Sequence, residues 1–90
     1  MVVRYFADIR SLAGTEEQQW TLATPTLRSL LTGLAAEKGA AFEKRVFEGG
    51  QLSRTIIVLV NGRNIQHLKG VETPLGADDI VAIFPMVAGG

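Results

Sequence analysis

The sequence predicts an α+β fold, a mixed sheet of four to five strands packed on one main helix. Three observations carry that expectation. Leu27, Leu30, Leu31 and Leu34 recur at i, i+3, i+4 and i+7, which makes one apolar helical stripe. Short runs rich in β-branched and aromatic residues lie at 2–6, 56–60 and 80–84. Asn61-Gly62 directly follows one of these runs and suits a two-residue hairpin turn that needs positive φ twice.

Taken in order, residues 2–6 read as the first strand. Val3 and Tyr5 share one face; Val2, Arg4 and Phe6 share the other, which Arg4 marks as the wetter. Residues 7–15 read as a connection ending near Gly14. Residues 17–22 read as a second strand, with Gln18, Trp20 and Leu22 on one face, hairpinned to the first. The main helix covers 26–38. Thr26 or Thr24 offers a capping hydroxyl, and a cap at Thr24 would put Pro25 at the first helical position. Gly33, inside this helix, should cost it about 1 kcal/mol relative to alanine. Gly39 is a natural stop, and residues 40–46 add a short second helix. Residues 56–60 form a strongly apolar strand and 63–65 fold back on it. Residues 66–75 are irregular, with Pro74 unable to donate to a ladder. Residues 76–79 turn, and 80–84 form the last strand, stopped by Pro85.

One helix cannot bury both faces of a sheet, so one face packs on the helix and the other meets solvent. A hairpin, a helix across one face and strands returning on the far side make a β-grasp arrangement, with the first and last strands parallel at the centre. A ferredoxin-like layout needs a second full helix, and only 40–46 is on offer. The reading is one domain over 1–85 followed by a flexible tail over 86–90.

Composition narrows the function. Nine Lys+Arg balance nine Asp+Glu, which argues against a nucleic-acid-binding domain and against an electrostatic membrane anchor. There is no cysteine, so disulfides, zinc–thiolate sites and a cysteine nucleophile are excluded. The single histidine, His67, removes two-histidine metal sites. The longest apolar run, 56–60, falls far short of the roughly 20 residues that span a bilayer. Arg4, Asp8 and Arg10 interrupt any apolar signal core. The expectation is a soluble cytoplasmic domain.

Enzymatic constellations are sparse. His67 with Ser53 or Ser11 has no spacing that suggests a hydrolytic triad. Glu16-Glu17 and Asp78-Asp79 read as solvated turns, because adjacent side chains of extended chain point apart. Gly49-Gly50 lacks the Lys-Ser/Thr and helix of a phosphate loop. Two features are unusual. If Val81 and Ile83 face the helix, the other face of the last strand is Ile80, Ala82 and Phe84, wholly apolar, and Phe6 joins it if the first strand is its neighbour. Such a patch suggests a protein interface. The second feature is the ending Pro85-Met86-Val87-Ala88-Gly89-Gly90. Two residues without Cβ make a thin, adaptable chain able to enter a narrow active site. The terminal carboxylate is ionised at neutral pH and is a poor electrophile. It must be activated to react, most simply as a mixed anhydride with AMP, and a partner must do that.

VRYFADIRSLAGTEE, TLRSLLTGLAAEKG, VLVNGRNI, TPLGADDIVAIFP and the closing VAGG, in that order, resemble the MoaD/ThiS family of ubiquitin-like sulfur carriers. They are most similar to molybdopterin synthase small subunits and the longer archaeal-type small modifier proteins. Residues 40–54 are the least specific part. The resemblance implies a β-grasp fold and a non-catalytic carrier. A ubiquitin-activating-type adenylating enzyme would use ATP and Mg²⁺ to activate Gly90, and this chain would bind no cofactor or metal itself. A sulfur donor protein would convert Gly90 to a thiocarboxylate, and the molybdopterin synthase large subunit would accept the tail in molybdenum or tungsten cofactor synthesis. Gly89, Ala88, Val87 and Met86 would form the inserted tail. Phe84 and Phe6 match aromatics of the partner interface, to which Ile80, Ala82 and Pro85 would also belong. The family's second tail proline is Met86 here, and Asp78 stands where glycine is frequent. The stretch 49–55 and the NGRNI segment favour the modifier-like branch. Two alternatives are a protein modifier joined to lysines through Gly90 and a β-grasp interaction module with an inert tail.

Overall fold

The computed structural model describes residues 1–21, 23 and 25–86. In chain order its elements are β1 (Val2–Tyr5), α1 (Ala7–Ala13), β2 (Glu17–Gln19), α2 (Leu27–Lys38), α3 (Ala40–Val46), β3 (Phe47–Glu48), β4 (Gln51–Leu52), β5 (Ile56–Val60), β6 (Arg63–Asn64) and β7 (Ile80–Pro85). Single 3₁₀ turns at Ile65–His67 and Gly70–Glu72 fill the stretch before β7.

The main sheet has the order β2-β1-β7-β5-β6. β1 and β7 run parallel, with Val3 opposite Val81 and Tyr5 opposite Ile83; the other pairings are antiparallel. This is the β-grasp arrangement. Alternation places Val3, Tyr5, Val58, Val81 and Ile83 on the inner face, all buried, against Leu27, Leu30, Leu31 and Leu34 of α2, each fully buried. Tyr5 reaches the rim of this core. Its hydroxyl donates to Gln18 Oε1 at 2.6 Å. Burial, with Glu37 nearby, raises its pKa far above the ordinary phenol value.

The helix cap is Thr26, whose Oγ1 accepts from the Ser29 amide at 3.3 Å. Pro25 therefore precedes the cap instead of opening the helix, and Thr24 lies outside the described residues. The hairpin turn forms as the dipeptide dictates, with Asn61 at φ 52° and Gly62 at φ 82°.

Four local expectations are corrected. Residues 7–15 contain α1: Ile9 and Ala13 are buried one turn apart and Gly14 closes it at φ 80°. The second strand stops at Gln19, although the Trp20 amide still donates to the Met1 carbonyl at 2.8 Å; Leu22 lies outside the described residues. Ile65 belongs to a 3₁₀ turn, not to the returning strand. Pro85 ends β7 instead of stopping the chain before it. The bonds from Asn61 to Ile80 and from Met86 to Thr55 turn the even-numbered positions of β7 toward β5. The missing Pro85 N–H thus faces the side where β1 has already ended, and no ladder bond is lost.

Gly33 has a packing reason. A Cβ there would lie 2.8 Å from the Trp20 ring, so the helix forgoes a side chain to let the indole against its backbone.

Candidate functional site

The candidate site is the outer face of the sheet together with the end of β7. Register decides its membership. Val2 stands opposite Ile80, Arg4 opposite Ala82, and β5 sets Ile57 opposite Phe84 and Leu59 opposite Ala82. The outer face therefore carries apolar side chains on three adjacent strands. Among the described residues no helix packs on it; the helices bury their apolar sides against the inner face. Ile80 is 40% exposed, Phe6 46% and Met86 48%, whereas Val81 and Ile83 are fully buried.

Phe6 and Phe84 meet edge to face, ring centroids 5.8 Å apart, a geometry favoured by the ring quadrupoles. The backbone arranges this: the Phe6 amide donates to the Ile83 carbonyl at 3.1 Å, and the chain then turns sharply at Ala7, φ 53°. A left-handed alanine costs about 1–2 kcal/mol, and here it starts α1 with Phe6 left outside and Ile9 inside. Arg4 is the charge that β1 puts on this face, opposite Glu17 of β2. Its Nε donates to Glu17 Oε1 at 2.9 Å, and both side chains are half exposed.

Thus Phe6, Ile80, Ala82, Phe84, Pro85 and Met86 gather at one face and one strand end. Val2, Ile57 and Leu59 belong to the same face, and sequence reading missed them in that role. The signal was available: β5 is apolar at every position, which for a strand with one buried face leaves Ile57 and Leu59 outward. Val87, Ala88, Gly89 and Gly90 lie outside the described residues.

At the other end of β7, Asp79 organises the turn. Its Oδ1 accepts from Asn61 Nδ2 at 2.9 Å and its Oδ2 from the Gly76 amide at 2.7 Å. These bonds, Asn61 first, hold its carboxyl below the usual aspartate range. Asn61 Oδ1 in turn accepts from the Ile80 amide at 2.9 Å, fixing the first residue of β7.

The other candidates are dispersed. His67 is exposed on a 3₁₀ turn, Ser11 lies on α1, and Ser53 is buried, its Oγ 2.9 Å from Thr55 Oγ1. Gly49-Gly50 is the turn joining β3 to β4, both residues at positive φ. Among the described residues no group of three or more His, Cys, Asp or Glu could hold a metal ion, and no helix is long and apolar enough to cross a membrane. An open depression of about 620 Å³ beside Met1, Trp20, Pro25 and Leu75 carries no ionisable side chain.

Fold and face together define a class, the small ubiquitin-like β-grasp proteins. The ThiS family model matches residues 3–90, and the chain belongs to that family of ubiquitin-like sulfur carriers and modifiers. It is 36% identical to small archaeal modifier protein 3 of Haloferax volcanii over 98% of this chain and 96% of that one. It is 40% identical to a protein of Archaeoglobus fulgidus provisionally named a sulfur carrier protein, over 72% of this chain and 74% of the other. The solution structure of small archaeal modifier protein 1 from Methanosarcina acetivorans superposes with a TM-score of 0.86 at 35% identity, covering 99% of this chain and 94% of that one.

Proposed function

We propose that this chain is a sulfur carrier whose working group is the Gly90 carboxylate. One observation supports the reading: Gly89-Gly90 follow within a few residues of a central strand whose outward row, Ile80, Ala82 and Phe84, is wholly apolar and turned away from the helices. A partner gripping that face takes the strand end with it and receives the tail at a defined place. Phe6, Ile57 and Leu59 widen the grip, and Pro85 and Met86 lie at its edge.

The chemistry belongs to the partners. A ubiquitin-activating-type adenylating enzyme, using ATP and Mg²⁺, would let the Gly90 carboxylate attack the α-phosphorus of ATP. Pyrophosphate leaves and an acyl-adenylate forms. A sulfur donor protein then supplies a hydrosulfide equivalent, which displaces AMP and leaves a thiocarboxylate. In the first version of this reading the acceptor is a molybdopterin synthase large subunit, building the pterin dithiolene of a molybdenum or tungsten cofactor. The Haloferax relative's name supports a second: a lysine ε-amine displaces AMP, and Gly90 ends in an isopeptide bond.

The test is intact-protein mass spectrometry after incubation with the cognate activating enzyme, ATP and a sulfur donor. The wild-type chain is expected to gain the mass of one oxygen replaced by sulfur, located on Gly90. One added alanine after Gly90 moves the carboxyl by roughly 3.3–3.6 Å of extended chain. Misplacement of that order costs about 10²-fold or more in rate, while the melting temperature stays unchanged. Sulfur gained by the extended chain, or none gained by wild type, refutes the carrier reading. Recovery from cells mainly as lysine conjugates selects the modifier instead.

A further inference from the structure

Beyond the apolar face, the Met86 N–H at the end of β7 is held by the Thr55 carbonyl, and Thr55 is in turn gripped by side chains that the carrier reading does not use. We propose that Arg45 is a positioning residue for the tail: acting through Thr55, it sets the direction in which the chain leaves the sheet at Met86. The functional consequence rests on the carrier reading above; the structural one does not.

Arg45 lies in the last turn of α3. Its Nε donates to Asp8 Oδ2 at 2.7 Å and its Nη1 to Thr55 Oγ1 at 2.9 Å. Its side chain is 27% exposed, so the contact is partly screened from water. Every polar atom of Thr55 is engaged. The amide donates to Ser53 Oγ at 3.2 Å, and Oγ1 also lies 2.9 Å from that oxygen. The Thr55 carbonyl accepts the Met86 N–H at 2.7 Å. Ser53 is buried, and its own amide donates to the Val46 carbonyl at 2.7 Å, which ties the loop to the end of α3. Asp8 follows Phe6 by two residues on α1. One guanidinium therefore couples the Phe6 edge of the apolar face to the carbonyl that holds the start of the tail. Its planar fork fixes two acceptors in one geometry, which the point charge of a lysine cannot do.

The direction in which the chain leaves Met86 matters to the carrier reading because an activating site tolerates little misplacement of the reacting carboxyl, about 1 Å costing about 10²-fold in rate.

The test uses the full chain and amide hydrogen exchange by NMR. In Arg45→Met the Met86 amide is expected to exchange about tenfold faster, the scale of one lost charge-assisted hydrogen bond, while the Val81 and Ile83 amides keep their rates. Arg45→Lys falls between. Thr55→Val, which removes the hydroxyl that Arg45 grips, carries the test if Arg45→Met fails to fold; Ser53→Ala, which removes that hydroxyl's other partner and leaves Arg45 in place, is the control and should loosen Met86 less. With the adenylating enzyme and ATP, kcat for Arg45→Met falls about tenfold or more while KM stays unchanged, because the apolar face is intact. Unchanged exchange at Met86, or equal acceleration at Met86, Val81 and Ile83, overturns the proposal. Loosening at Met86 with unchanged kcat overturns the positioning role. A wild-type chain that is never adenylated refutes the carrier reading alone, and the exchange result at Met86 stands apart from it.

Discussion

Along β7, Val81 and Ile83 are sealed beneath the helices, whereas Ile80, Ala82 and Phe84, each one residue away, stand on the side away from the helices, Ile80 exposed and the other two half-buried. The two rows are equally apolar. One is covered by this chain's own helices, and the other has no helix of the described residues behind it. Apolar character alone therefore does not assign a residue to a core; the presence of a second layer does. On a sheet with a single helical layer, a row that keeps its apolar side chains on the open side is conspicuous, because solvent-facing positions ordinarily turn polar.

Substitutions on the two rows should separate cleanly. The largest effect is expected on the covered side. Leu30→Ala, beneath the inner face of the sheet, should lose about 2–5 kcal/mol of stability by denaturant unfolding, as buried leucine truncations do. A loss below about 1 kcal/mol would break the comparison by showing that the covered row is not the core. Phe84→Lys comes next. It removes the edge-to-face contact with Phe6, at about 1 kcal/mol of stability. It should weaken binding to the activating partner by about 2 kcal/mol, measured by calorimetry, because a charge is forced into an apolar contact. A globally unfolded Phe84→Lys would return the outer row to the core, and unimpaired binding would leave the face without its role.

The smallest effect concerns what decides which residue faces which way. Asp79 and Asn61 hold Ile80 at the start of β7, so they set the strand's register. Asp79→Ala should cost about 1 kcal/mol at neutral pH for the lost hydrogen bonds. The Asp79 pKa is depressed in the folded chain. Its contribution is therefore complete above the unfolded value of about 3.9 and fades as pH falls through the lower, folded value. Melting curves of wild type and Asp79→Ala should converge on acidification across that window. A constant gap at all pH values would mean the carboxylate's charge is not what matters there.

Local chemistry made much of this architecture legible. Asn61-Gly62 announces its hairpin because few residues tolerate positive φ at both positions. The leucine spacing of α2 marks its buried stripe directly. By contrast, α1 passed for a connection: seven residues with Asp8 and Arg10 among them form no stable helix alone. Ile9, Leu12 and Ala13 at i, i+3 and i+4, followed by Gly14, were the available sign. Gly33 looked like a weak point in a helix until Trp20 was seen lying against it.

From residue order alone came the β-grasp arrangement, the helix face, the apolar outward row of β7 and the Gly-Gly ending, because each depends on periodicity or on one residue's own conformational range. Tertiary structure decided the rest. It brought Ile57 and Leu59 alongside Ala82 and Phe84, paired the rings of Phe6 and Phe84, turned the blank side of Pro85 away from β5, and joined Asp8, Arg45 and Thr55 behind Met86. Those contacts link positions far apart in the chain. Only strand register and helix docking bring such positions within a few ångströms, and no local pattern encodes either.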